Sequence, residues 1–190
     1  MNTQSASEAE ADRIGVLVLG LGNVLLGDDG LGAAAVAQVE SEYCVPPSVH
    51  LEDGGTLGLS LLGLIADSDH VILVDAVRTD SPPGTLVRLD GGDVNDAVRH
   101  RLSPHQVGVA DLLDAARLID RYPTTVTLLG LVPDAIDLSV TRSTVVNDRL
   151  DELVAAIVRE VQNLGYNLVR EPEIAGQHRP IHNLTRHFGM

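Results

Sequence analysis

Apolar and polar positions along the 190-residue chain fall into short blocks that change period. Ile14-Gly15-Val16-Leu17-Val18-Leu19 is almost wholly apolar, as expected of a strand buried on both faces of a parallel sheet. The glycine turn Gly20 to Gly30 follows. Leu31, Ala35 and Val39 then recur at helical spacing, predicting a helix from about Asp29 to Tyr43. Its small residues Gly32 to Ala35 would let it lie close on a sheet. Pro46-Pro47 ends this unit. Val49 to Asp53 reads as a second strand closed by Gly54-Gly55, with Thr56 placed to cap a helix over Leu57 to Ala66.

His70 to Asp75 is a third strand, ending on a carboxylate. After the Ser81-Pro82-Pro83-Gly84 turn comes a fourth, Thr85 to Leu89. Residues 90 to 102 are polar and expected to be loop. Ser103-Pro104-His105-Gln106 has the form of a capping box with proline in the first turn, and Val109, Leu112, Leu113 and Ala116 continue it as an apolar helix face. Val126 to Leu131 is the fifth strand. Val146, Leu150, Leu153, Val154, Ile157, Val161 and Leu164 outline one long last helix, with Gly165 where a C-terminal cap belongs. Residues 1–12 are expected to be a disordered tail, 13–166 a single α/β domain, and 167–190 a flexible tail. The fold class is α/β: three layers, with a mostly parallel, twisted five-stranded sheet flanked by helices.

Composition narrows the function. Apolar residues make up 44% of the chain but aromatics only 2%, so the core must be built from Leu, Val, Ile and Ala. A net charge of −14 argues against nucleic-acid or anionic-membrane partners, which need a basic face. Cys44 is the only cysteine, so no internal disulfide or cysteine-rich metal site is expected. Without a basic, apolar leader or a membrane-length apolar run, the protein is expected to be soluble and cytoplasmic.

Ligands of open α/β sheets bind beyond the C-terminal ends of the strands. Asp28 and Asp29 follow strand one, Asp53 follows strand two and Asp75 ends strand three. His105 opens a helix that can point to the same edge. Two carboxylates and an imidazole suit a divalent transition metal with room for an outside ligand. Helix-terminus fields of about 0.3–1 kcal/mol favour an ionised Asp29 and a neutral His105. Plain structural readings stand beside these: Asp28 or Asp29 as a helix cap, Asp53 as a turn residue, His105 as an ordinary first-turn residue. Asp75 ends a buried strand instead of opening a turn, and is the hardest to explain by structure alone. His70, about 16 Å of strand away, belongs at the opposite edge. His178, His182 and His187 lie in the unpatterned tail.

Gly20-x-Gly22 begins a dinucleotide fingerprint, but Leu25 stands where its third glycine should be, and the acidic residues beyond repel a pyrophosphate. No G-x-S-x-G nucleophile elbow occurs in the chain.

The run from Leu19 to Gly30 resembles the opening motif of the nickel-iron hydrogenase maturation endopeptidases. Asp53-Gly54-Gly55-Thr56, Val74-Asp75-Ala76 and Ser103-Pro104-His105-Gln106 resemble the later motifs of that family, in order. The resemblance covers roughly Ile14 to Gly165. It implies a protease that removes the C-terminal extension of a hydrogenase large-subunit precursor once nickel has been inserted, cutting after a His or Arg. It further implies that Asp29, Asp75 and His105 are the catalytic and metal-contacting residues. Asp29 stands where some members have Glu, one methylene longer. The metal would be the nickel of the client, with no tightly bound cofactor of the enzyme's own. Whether hydrolysis is aspartic-type or metal-assisted stays open. The alternatives are a non-proteolytic chaperone for the same client and a nucleotide-dependent oxidoreductase.

Overall fold

A computed structural model describes residues 13–55, 58–99 and 104–171. In chain order the elements are β1 (Ile14–Leu21), a 3-10 turn (Gly27–Gly30), α1 (Leu31–Glu42), β2 (Tyr43–Cys44), β3 (Val49–Gly55), a second 3-10 turn (Gly58–Leu61), α2 (Leu62–Ala66), β4 (Ser68–Ala76) and β5 (Leu86–Asp90). They continue with α3 (Gly91–Arg99), α4 (Pro104–Leu118), β6 (Thr125–Leu131), α5 (Thr144–Asn147), α6 (Leu150–Asn163) and β7 (Val169–Arg170).

The sheet order is β3-β1-β4-β6-β5. All neighbours run parallel except β5, which pairs antiparallel with β6. This is the expected three-layer α/β arrangement. Strand side chains alternate between two apolar cores, as a pleat requires. Val16, Val18, Ile72, Val74, Leu129 and Leu131 meet α1 and α6 on one side. Leu17, Leu19, Val71, Leu73, Val126 and Leu128 meet α2 and α4 on the other. With so few aromatics, the largest fully buried side chains are leucine and isoleucine.

Three expectations are corrected. Residues 91–99 form α3 where a loop was expected, because the buried Val94, with Ala97 one turn on, seats the helix on the second core. The long last helix is broken at Asp148–Arg149 into α5 and α6. Ser143 caps α5 by accepting from the Val146 amide, and Asn147 ties back to Arg142 through both ends of its side-chain amide. The packed chain also continues past residue 166: Leu168 is buried, and Val169–Arg170 pair antiparallel with Tyr43–Cys44. The Thr56 cap and the Ser103 half of the capping box lie outside the described residues.

At the end of α6, Gly165 (φ +92°) takes the left-handed position. The Tyr166 amide donates to Val161 O (3.2 Å) and the Gly165 amide to Gln162 O (2.9 Å), the paired bonds of a Schellman cap. The edge strand β5 is tied down from the α6 side. Arg88 Nε and Nη2 donate to the two oxygens of Glu160 at 3.0 and 2.9 Å, and the Thr127 hydroxyl adds a longer bond. Those carboxylate bonds and Asp90 hold the Arg88 guanidinium protonated well beyond its ordinary range. Glu160→Gln is expected to lower stability by about 1–2 kcal/mol in a urea titration, because one arm of the fork then faces an NH2 group. An unchanged midpoint would show that β5 does not depend on this pair.

Candidate active site

The strand order makes one position special. From β1 the chain passes to β3 on one side and then crosses to β4 on the other, so the topological switch point lies between the C-terminal ends of β1 and β4. Gly20 pairs with Val74 there, which sets Asp75 level with Leu21. The turn that leaves β1 folds back over this point and packs on β4.

Small residues make the fold-back possible. A Cβ at Gly32 would meet the carbonyl oxygens of Leu21 and Val74, so α1 starts in direct backbone contact with both strands. Gly22 has φ +104°, and a Cβ there would collide with the Asp29 carbonyl. Only glycine lets the turn close this tightly.

Asp29 and Asp75 are both buried, at 2% and 1% exposure. The Asn23 amide donates to Asp29 Oδ2 at 2.8 Å, and the Ala76 amide to Asp75 Oδ1 at 2.7 Å. Among the described residues the Asn23 amide is the one hydrogen-bond donor to the Asp29 side chain. A buried carboxylate has room for about four such bonds. Asp29 therefore keeps acceptor capacity for a ligand, and the two carboxylates share the switch-point edge.

Asp28 has another role, and sequence reasoning missed it. Its carboxylate does not cap the 3-10 turn. Oδ2 accepts from the amides of Asp134 (2.9 Å) and Ala135 (3.2 Å) and from the Ser143 hydroxyl (2.9 Å), while Oδ1 accepts from the Ser143 amide (2.7 Å). Burial opposes ionisation, but these bonds outweigh it and hold the carboxyl below its ordinary pKa. Asp28 thus fastens the loop after β6 to the turn after β1. A parallel bridge between Leu26 and Ser139 runs alongside, with Gly27 N to Ser139 O at 2.7 Å and Ser139 N to Leu25 O at 3.0 Å. The available signal was position: Pro133 and Asp134 follow the strand next to β4, at the same sheet edge.

Asp53 is exposed, and its Oδ1 accepts from the Gly55 amide at 3.0 Å, the turn role considered for it. His70 sits near the start of β4, with Nδ1 and the Thr125 hydroxyl 2.9 Å apart, away from the carboxylate edge. For His105 the described part is backbone, in the first turn of α4. The other end of α4 leads to Arg121, paired with Asp67, and Thr124, whose amide bonds Asp69 O beside the start of β4. A 15-residue helix is about 22 Å long, so its His105 end runs toward the carboxylate edge. Among the described residues no group of three His, Cys, Asp or Glu is gathered to hold a metal.

The family model described as hydrogenase maturation protease matches residues 34–160. The chain belongs to the hydrogenase maturation protease family. The hydrogenase 2 maturation protease of Escherichia coli (strain K12) is 37% identical over 147 residues, 75% of this chain and 90% of its own length. The hydrogenase expression/formation protein HupD of Rhodobacter capsulatus is 35% identical over 162 residues, 84% of this chain and 77% of its own. The solved structure of the hydrogenase maturating endopeptidase HybD from E. coli superposes with a TM-score of 0.79 at 33% identity, over 82% of this chain and 97% of that one. The matched family model runs from within α1 into α6. Among the described residues no helix is long and apolar enough to cross a membrane.

Proposed function

We propose that this member of the hydrogenase maturation protease family is an endopeptidase. It removes the C-terminal extension of a nickel-iron hydrogenase large-subunit precursor after nickel insertion, in the cytoplasm. The observation that carries the reading is the pair of buried carboxylates, Asp29 and Asp75, at the switch point, with Asp29 bonded by the Asn23 amide alone among the described residues. Carboxylates are costly to bury and are kept where they serve a ligand or a reaction.

In this reading Asp29, Asp75 and the His105 imidazole complete the coordination of the nickel that the client brings. The ion belongs to the substrate. It serves as a template that sets the scissile peptide against the two carboxylates. One carboxylate accepts a proton from the attacking water. The water oxygen bonds to the peptide carbonyl carbon, the C–N bond breaks, and the proton passes to the leaving amine. A client lacking nickel presents no ion to the three ligands and binds weakly, so the enzyme tests assembly state as well as sequence.

The test is to incubate the protein with its large-subunit precursor, nickel-loaded and nickel-free, and weigh the products by mass spectrometry. Loss of a C-terminal peptide from the loaded precursor alone is expected. Cleavage of both forms would discard the nickel gate and keep the protease. A stable complex with no cleavage would replace the protease with a chaperone.

A further inference from the structure

Among the described residues the large apolar side chains left exposed are few, and four of them stand on the two loops that Asp28 fastens together. Val24 and Leu25 are 55% and 53% exposed on the turn after β1, and Leu138 and Val140 are 87% and 79% exposed on the loop after β6. The Leu26–Ser139 bridge joins these segments backbone to backbone, with Leu138 and Val140 flanking Ser139. This is a built arrangement: backbone bonds from both sides of Ser139 and four bonds to a buried carboxylate hold apolar residues out in water. Apolar groups grouped and exposed in this way mark an interaction surface.

Its place says what it meets. The Asn23 amide bonds Asp29, the Asn23 side-chain oxygen accepts from the Leu25 amide at 2.9 Å, and the Val24 backbone packs where a Cβ on Gly30 would be. The ledge is therefore continuous with the rim of the carboxylate site. A second copy of this chain is a poor occupant, because each copy carries a net charge of −14.

We propose that Val24, Leu25, Leu138 and Val140 form a docking ledge for an extended, apolar segment of the client precursor next to the bond that is cut. The inference rests on the protease reading above and adds where the client is gripped. Recognition then has two parts: the carboxylate edge reads the metal, and the ledge reads the chain beside it.

The test is the double substitution Leu138→Ser/Val140→Ser, at two exposed positions outside the carboxylate pair. Binding is measured with the nickel-free precursor, which is expected not to be consumed, and cleavage with the nickel-loaded one, with the carboxylate site intact in both. The double substitution is expected to weaken binding and raise KM by at least about ten-fold, with kcat and melting temperature unchanged. Normal cleavage with unchanged KM and binding would overturn the ledge and leave the protease standing. Ledge-dependent binding with no cleavage by the otherwise unaltered protein would support the ledge and remove the protease. A concentration-dependent dimer abolished by the substitutions would overturn the proposal in favour of a second copy.

Discussion

Replacing Asp75 by asparagine is expected to cut processing of the nickel-loaded precursor by about a thousand-fold or more while the protein stays folded. The side chain is buried at the end of β4, between Val74 and Ala76, which are both held in the sheet. Asparagine keeps its shape and can still accept from the Ala76 amide. What it loses is the charge, and with it the ability to bind a cation or take a proton from water. Losing a buried charge leaves stability about level or raises it by about 1 kcal/mol. Asp29→Asn and His105→Ala are expected to behave alike. Product masses over time and a thermal melt read both halves of the prediction. Processing at the unsubstituted rate by the Asp29 and Asp75 variants would end the assignment.

Asp28→Ala should do the opposite first: it should damage the fold, and activity should fail as a result. Alanine leaves the amides of Asp134, Ala135 and Ser143 and the Ser143 hydroxyl without their acceptor, in a loop that is only partly buried. The expected loss is about 2–3 kcal/mol, or about 5–10 °C in melting temperature for a domain of this size. The dependence on pH follows from the lowered pKa of this carboxyl in the fold. A depressed folded value stabilises the protein above the unfolded value of about 3.9, and that contribution is lost as pH falls through the lower folded value. The stability gap between the unsubstituted protein and the Asp28→Ala variant should thus be full at neutral pH and narrow below about pH 4. Urea titrations of both proteins at several pH values measure it. Equal midpoints at neutral pH would show that the loop after β6 is held by its backbone bonds alone.

The five main strands and their order along the chain were legible because each is a run of strand length, continuously or alternately apolar, set off by Gly, Pro or Asp. The carboxylate edge was legible because strand ends in an α/β sheet converge. Apart from the family resemblance, which singled out Asp29, the residues did not tell which of two adjacent aspartates faces the switch point and which faces the loop after β6. In a 3-10 turn successive residues are about 120° apart, so neighbours in sequence serve different surroundings. That distinction depends on Ser143 and Asp134, which lie more than 100 residues away. Helix α3 escaped because its apolar positions are few and set among Gly, Asp and Asn: Val94, Ala97 and Val98 do recur at helical spacing, but in a stretch that is polar on average.

The span of the Asp28 bonds bears on when the enzyme comes into being. On a growing chain the turn after β1 emerges early, but its fastening partners Asp134, Ala135 and Ser143 leave the ribosome only after most of the domain has been made. Long-range closures of this kind form late. A truncated or stalled chain carries both aspartates yet lacks the loop that fixes their turn and half of the apolar ledge. Nascent fragments are therefore poor proteases, and competence arrives with the near-complete polypeptide.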